Sequence, residues 1–342
     1  FNMTVDDRKI TIQEIAHRAQ VSASTVSRVL RGTTAVSEKK RLAVMDAVAE
    51  LDYRPNIFAQ SLASGQSMTI GVLTQNFGSP FYDGILRGIL EGLEKTNYWP
   101  LFVDGRWQTK TELHALNMLL DRQVDGIIVL GGQISETELR ASACQKPLIV
   151  VARELESLPE HSIYVNNYEA AYRAVSYLLE RGHRDIAHIT AKMNYVAAVD
   201  DVFNRNKGYK QALLDADIEP DPRLVVEGNL QQQSGVLAVE MLLGKGSTFS
   251  AIFAANDQMA FGARLALYRR GIRVPDEVSL VGFDDETSAA YMIPPLTTLR
   301  QPAVEMGQAA AKAILDLINA EPPELKSFDA ELIIRDSVAR YR

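Results

Sequence analysis

The sequence predicts an α/β protein: a small helical head at the N-terminus followed by two doubly wound α/β layers. Three observations carry that expectation. Residues 11–31, TIQEIAHRAQVSASTVSRVLR, have the pattern of two short helices joined by a tight turn. From Thr69 onward, short apolar runs alternate with amphipathic helical stretches, the signature of repeated βαβ units. The chain has 342 residues, more than one compact domain usually holds, so two or three units are expected.

In the head, Thr11 can cap the first helix and Glu14, three positions on, completes a capping box. Ile15, Ala16 and Ala19 give that helix an apolar face. Val21 is a buried-type residue in the turn, and Ser22 can cap the second helix. Val26, Val29 and Leu30 then fall on one side, with Ala23, Ser24, Ser27, Arg28 and Arg31 on the other. Small and hydroxylated residues let a helix approach a DNA major groove closely, and arginine can fork onto guanine or a phosphate. Periodicity alone favours an ordinary helical bundle, because capped amphipathic helix pairs are common; the wider context reverses that. A third helix is expected over 37–51, with Leu42, Met45, Val48 and Leu51 on one stripe. Pro55 biases its predecessor toward extended backbone, so that helix should end near Tyr53. Residues 56–62 can form a short helix capped by Asn56, and 63–67 (ASGQS) read as a linker.

The apolar runs at 69–73, 100–104, 126–131 and 148–152 read as buried parallel strands, with helices over 82–96, 110–122 and 136–142. The alternation resumes at 185–189, 251–255 and 278–282. Open parallel sheets bind ligands beyond the carboxyl ends of their strands. That rule selects Gln75, Asn76, Phe81 and Tyr82, then Ala152 and Arg153, then Asn256 and Asp257, then Asp284 and Asp285. Amides, carboxylates, an arginine and two aromatic rings suit a small polyol such as a sugar. Structural roles compete for some of these: Asp257 precedes a helix it could cap, one of Asp284 and Asp285 can hold the loop, and Phe81 can belong to the core.

Charge supports a nucleic-acid partner only through its distribution. The net charge is -7. Residues 1–68 hold 9 Lys+Arg against 7 Asp+Glu, a net +2, and the remainder 27 against 36, a net -9. A mildly basic head suits a dimer that needs two heads for affinity. Cys144 is the single cysteine, which excludes an internal disulfide and a cysteine-rich zinc site and suggests a buried structural thiol. No apolar run approaches ~20 residues and no secretory pattern opens the sequence, so a cytoplasmic protein is expected.

TIQEIAHRAQVSASTVSRVLRG, VSEKKR and LDYRPNIFAQSLASGQSMTIGV, followed by GHRDIAHI, NRNKGY, FAANDQMAFGA, VPDEVSLVGFDD and IPPLTTLRQP, resemble the LacI/GalR family of bacterial transcription regulators. The series covers nearly the whole chain. The resemblance implies a helix-turn-helix head (1–55), a hinge helix and linker (56–68), and a periplasmic-binding-protein-like effector and dimerisation domain (69–342). It divides the last into subdomains of 69–166 plus 298–328 and 167–297 plus 329–342, joined by three crossovers. It implies DNA contacts by Thr11, Ser22, Ala23, Ser24, Thr25, Ser27 and Arg28, with Ala23 and Ser24 choosing the operator sequence. Asn56, Ala59 and Leu62 would serve in the hinge, Leu62 wedging into the minor groove. It marks Gln75, Phe81, Tyr82, Arg153, Arg205, Leu230, Asn256, Asp284 and Gln301 as effector-facing. Two positions depart from the family's habit: Ala152 stands where an aspartate is common, and Leu230 where a bulky aromatic is common.

The implied function is a repressor of a carbohydrate-utilisation operon. It would be a homodimer on a pseudo-palindromic operator, without cofactor or metal, controlled by a small sugar. A phosphorylated or acidic sugar is the alternative effector, because losing a carboxylate beside Arg153 frees that cation for an anion. A solute-binding protein would account for the large domain but not for the head. Catalysis finds no support in the motifs: there is no Gly-rich phosphate loop, HExxH or GxSxG. No terminal heptads follow the last domain, so a dimer with an interface built mostly from the first subdomain's helices, including 82–96, is expected.

Overall fold

A computed structural model describes residues 10–30, 36–53, 65–191 and 199–341. It divides into two compact units, Phe1–Ser67 and Met68–Arg342. The anticipated hinge residues Asn56, Ala59 and Leu62, and Arg31, lie outside the described residues.

In the first unit α1 (Ile12–Arg18) opens with the capping box: the Thr11 N–H donates to Glu14 Oε2 at 2.7 Å, and the Glu14 N–H to Thr11 Oγ1 at 3.4 Å. A turn with Gln20 at φ +51° leads to α2 (Ala23–Leu30), where the Thr25 N–H donates to Ser22 Oγ at 3.3 Å. α3 (Glu38–Glu50) closes the bundle. Ile15, Ala16, Ala19, Val26, Val44 and Ala47 form its core. The expected stripe on α3 is rotated. Leu42 and Met45 are 51% and 46% exposed, while Ala43, Val44, Ala47, Val48 and Leu51 face inward. Both faces have helical period; the one with two alanines and two valines lets α3 come closer to α1 and α2 than one led by Leu and Met.

The second unit contains two sheets. The first has, among the described residues, the order β11 (Ser327–Phe328), β5 (Ser162–Val165), β4 (Leu148–Val151), β3 (Gly126–Leu130), β1 (Thr69–Thr74), β2 (Trp99–Asp104), all parallel. The second has the order β12 (Glu331–Ile333), β10 (Thr297–Arg300), β9 (Ser279–Asp284), β8 (Ala251–Ala254), β6 (Ile186–Ala191), β7 (Val225–Gly228). Its strands are parallel except for the β10–β12 pair. The helices are α4 (Pro80–Leu93), α5 (Thr109–Asp121), α6 (Glu136–Ala143), α7 (Asn167–Glu180), α8 (Val199–Asp215), α9 (Gln232–Gly244), α10 (Asp257–Arg269) and α11 (Ala303–Ile318). Strands such as β3, β4 and β8 are buried along their whole length, which is why they read as unbroken apolar runs.

The chain passes between the lobes after β5, after β10 and after β11. The second passage lies after Arg300, not at the anticipated 298, because Thr298, Leu299 and Arg300 pair with Gly282, Phe283 and Asp284 of β9. α11 then packs on α4 in the first lobe at glycine contacts. A Cβ at Gly88 would sit 2.0 Å from the Val304 carbonyl oxygen, and one at Gly307 2.1 Å from that of Ile85. Cys144, expected as a buried thiol, is exposed at the end of α6.

Candidate functional site

The head presents one hydroxylated face. Ser22, Ala23, Ser24 and Arg28 are exposed, and Thr25 and Ser27 partly so. Ser22 Oγ lies 2.8 Å from Ser24 Oγ and 2.9 Å from Thr25 Oγ1, a compact cluster at the N-terminal end of α2. Helix N-termini with exposed donors favour phosphate. Thr11, also predicted to face DNA, is exposed but has its backbone N–H and hydroxyl on Glu14.

In the second unit a cavity of about 480 Å³ lies at the carboxyl ends of both sheets. The residues following successive strands converge there: Asn76 after β1, Trp107 after β2, Gly131 and Gly132 after β3, Ala152 and Arg153 after β4. From the second lobe come Asn229 and Leu230 after β7, Asn256 after β8, and Asp284 and Glu286 at and after the end of β9. The first two turns of three helices add Phe81 and Tyr82 (α4), Asp201 and Arg205 (α8) and Gln258 (α10). The volume lies within the ~300–1,000 Å³ of small-molecule sites.

The two walls differ. The first lobe contributes the rings: Phe81 and Tyr82 meet edge to face at 5.3 Å, and Tyr82 and Trp107 at 5.9 Å. The second lobe contributes mostly polar groups, several fixed by internal bonds. Arg205 is buried, donating from Nε to Asn167 Oδ1 at 2.8 Å and from Nη1 to the Ala255 carbonyl at 2.6 Å, with its guanidinium 3.7 Å above the Phe283 ring. Asn256 caps α10 by accepting the Met259 N–H at 3.0 Å and donates to the Leu230 carbonyl at 3.0 Å. Arg153, on the first lobe, donates from Nη1 to the Ile134 carbonyl at 2.7 Å.

Among the described residues three carboxylates, Asp201, Asp284 and Glu286, line the cavity. Burial pushes the Asp284 carboxyl up to about 6, against the pull of the Arg205 charge and the Gln301 hydrogen bond. Burial, with the Asp284 charge beside it, raises Glu286 to about 7; a hydrogen bond from Gln258 opposes this. Asp284 is held at φ +115°, a conformation costly for a residue with a side chain and found most often at functional sites. Tyr82 keeps its phenolic proton, because burial and the charges of Asp201 and Asp284 all oppose ionisation.

Seven of the nine residues predicted to face an effector line the cavity: Phe81, Tyr82, Arg153, Arg205, Leu230, Asn256 and Asp284. Gln75 and Gln301 do not. Gln75 is fully buried behind the wall, its amide close to Gly105 and Gly132; Asn76, one residue on, reaches the cleft. Gln301 stands behind Asp284 and donates to its Oδ1 at 2.7 Å. Two of the aspartates flagged by the strand-end rule are structural. Asp257 is completely buried, accepting Thr298 Oγ1 at 2.6 Å and the Glu286 N–H at 2.8 Å, and burial raises its pKa strongly. Asp285 pairs with Arg300 and Arg335, each at 2.7 Å. Asp257 does not cap α10; Asn256 does. Trp107, Asp201, Glu286 and Gln258 escaped the sequence reading. Asp201 and Gln258 sit inside helices, and Trp107 lies three residues beyond the end of β2, outside the immediate strand-end positions.

Comparison with known proteins places the chain in a lineage. Residues 11–56 match the family model for bacterial regulatory proteins of the lacI family, and residues 175–338 that for a periplasmic binding protein-like domain. The chain is 34% identical over 335 residues to the HTH-type transcriptional regulator AscG of Escherichia coli K12, covering 96% of this chain and 98% of the relative. It is 33% identical over 330 residues to the ribose operon repressor of Haemophilus influenzae, with the same coverage of both chains. Among solved structures it resembles the transcriptional regulator CelR–cellobiose complex (TM-score 0.71, 32% identity, 96% of this chain and 99% of that one). It also resembles the lac repressor dimer bound to operator and the anti-inducer ONPF (TM-score 0.87, 28% identity, 97% and 100%). The helix-turn-helix head, the paired parallel sheets with their cleft, and relatives matched along almost their full length lead to one conclusion: the chain belongs to the lacI family of bacterial regulatory proteins and is a DNA-binding transcriptional regulator.

Proposed function

We propose that the cleft binds a neutral sugar or glycoside, and that this ligand controls operator binding by a homodimer of the chain. The observation that carries the choice of ligand is the cleft's charge. Asp201, Asp284 and Glu286 line it, while Arg153 and Arg205 already hold backbone or side-chain partners. Carboxylates and amides match hydroxyl groups, and a phosphate there would face three acids. The aromatic wall covers the apolar face of a ring. The absence of a carboxylate at Ala152 therefore does not favour an anion. The relative whose structure contains cellobiose supports the same class.

On this reading residues 1–55 read DNA, with Arg28, Ser24 and Ser27 on bases or phosphates and Ala23 against a thymine methyl. Residues 56–68 couple the head to the cleft through Asn56, Ala59 and Leu62, and the cleft is a regulatory site without chemistry of its own. Ligand-driven change in the angle between the lobes alters DNA affinity by a coupling of ~1–3 kcal/mol. Dimerisation has a candidate surface on the second lobe. Leu237 and Met241 lie one turn apart on α9, Leu265 and Tyr268 nearly so on α10, and Tyr291 and Ile293 are 80% and 84% exposed. The Ile293 carbonyl accepts Arg264 Nε at 3.0 Å, joining that loop to α10. This patch extends the interface beyond the first-lobe helices, where α4 exposes Leu90.

A thermal-shift screen with sugars, glycosides and sugar phosphates tests the ligand class. Stabilisation by neutral compounds is expected. Stabilisation by sugar phosphates alone would reverse the assignment.

A further inference from the structure

The turn between β2 and α5 is unusual. Arg106 and Trp107 are consecutive non-glycine residues in the left-handed region, at φ +56° and +54°. Such residues are uncommon singly, and a bulky aromatic is among the least suited to it. The turn is fastened on both sides. The Gly105 N–H donates to the Thr74 carbonyl at 2.7 Å, the Arg106 N–H to Asp104 Oδ1 at 2.9 Å, and the Gln108 N–H to the Gly105 carbonyl at 3.1 Å. The outcome of this backbone is the placement of one side chain: Trp107 reaches the cleft and stands edge-on to Tyr82. Space is cleared for these rings. A Cβ at Gly131 would lie 2.5 Å from the Tyr82 hydroxyl and 3.4 Å from the Trp107 ring.

Among the described residues, the second lobe lines the cleft with no aromatic ring. Leu230, where an aromatic would be expected, is itself left-handed at φ +65° and lines the cleft. The rings that line the cleft among the described residues are therefore on the first lobe. Tyr82 meets both Phe81 and Trp107 edge to face, with centroid spacings of 5.3 and 5.9 Å, so three rings stand together on that wall. Conformational strain that delivers a side chain to a ligand site is the kind retained for function.

We infer that Trp107 is the aromatic platform of this cleft, and that the effector carries a second ring, a further sugar or an aryl aglycone, seated on it. The inference rests on the sugar-binding reading above and adds a size and a contact to it. Offset stacking of a ring face on indole discriminates by shape, so a ligand with one ring gains less from Trp107 than a ligand with two.

The sequence holds two tryptophans, Trp99 and Trp107. Trp99 is 76% exposed at the opposite end of β2 from the cleft. A Trp99→Phe chain therefore reports Trp107 alone by fluorescence. The full-length protein would be titrated with methyl and phenyl β-D-glucosides, methyl and phenyl β-D-galactosides, and cellobiose, following fluorescence and thermal stability together. The two-ring compounds should bind more tightly than their methyl counterparts and perturb Trp107 emission. Trp107→Ala should weaken a two-ring ligand about tenfold while changing a methyl glycoside less than about twofold, and Trp107→Phe should recover most of the loss. Equal losses for both ligand sizes, or binding that leaves Trp107 emission unmoved, would overturn the platform while leaving the sugar reading intact. No response to any glycoside, with a response to sugar phosphates, would overturn both.

Discussion

Replacing Arg205 with alanine should damage the regulator in two separable ways, and the size of each follows from the geometry. The guanidinium donates to two buried acceptors, Asn167 Oδ1 and the Ala255 carbonyl, and lies 3.7 Å over Phe283. Hydrogen bonds from a charged donor contribute about 1.5–3 kcal/mol each, and a desolvated cation–π contact up to about 2. Against this, the folded protein no longer has to keep a guanidinium out of water, which costs several kcal/mol. Removing one partner from a buried charged cluster typically leaves a net loss of about 3–5 kcal/mol. We take the lower end, about 3 kcal/mol, because Asp284, deprived of its cation, can take up a proton: its carboxyl, already raised to about 6, moves higher. At roughly 2–4 °C per kcal/mol for a domain of this size, the midpoint of thermal unfolding should fall by about 6–12 °C. The second effect is on binding: ligand at a hundred times its Kd normally adds about 2.7 kcal/mol of stability, and the variant should lose that increment. Differential scanning calorimetry of the full chain, with and without a sugar that stabilises the parent, reads both. Arg205→Lys restores the charge but not the fork and should fall between. A midpoint within about 2 °C of the parent, with ligand stabilisation retained, would show that Arg205 neither braces the cleft nor meets the ligand.

Arg28→Ala should reduce operator affinity by about 1–3 kcal/mol in a gel-shift or anisotropy titration while leaving sugar-induced stabilisation of the large unit unchanged; unaltered DNA affinity would remove Arg28 from the interface. Glu286, raised from 4.5 to about 7, gives a folded state that holds a proton the unfolded state has released. Its contribution is therefore present below about pH 4.5 and is lost as pH rises to about 7, a change of up to about 3 kcal/mol. Glu286→Gln should flatten stability over that window, most clearly above the range where Asp284 titrates at about 6; an unchanged slope would assign the proton to Asp284 or Asp257. Tyr291→Asp together with Ile293→Asp should shift sedimentation from dimer toward monomer at low micromolar concentration and weaken operator binding; a dimer that persists would place the interface away from this loop.

The elements legible in the sequence were those whose signal is local. The Thr11–Glu14 capping box and the cap of α2 by Ser22 follow from residues three apart. The strands β1, β3, β4 and β8 announced themselves as apolar runs because helices cover both faces of each sheet. The rule that ligands sit beyond strand ends placed Phe81, Arg153, Asn256 and Asp284 on one cavity, since it depends on chain direction and not on any particular contact.

Tertiary structure decided what each polar side chain does there. Asp257, at the start of α10, and Asp284, Asp285 and Glu286, at and just after the end of β9, lie close together, yet they divide into two braces and two cleft-lining acids according to which arginines, amides and backbone N–H groups meet them. Residue type cannot make that division, because a carboxylate serves equally as brace or ligand contact until its partners are known. Gln75 turned inward and Asn76 outward for the same reason, and Leu42 on α3 lost its place in the core to smaller neighbours. Trp107 is the clearest case: its approach to the cleft depends on two left-handed residues and on the space left by Gly131, neither of which exists until the first lobe is folded. Sequence by itself thus determined the lineage, the element order and the end of the sheets where a ligand sits; packing and hydrogen bonding determined which side chains meet it.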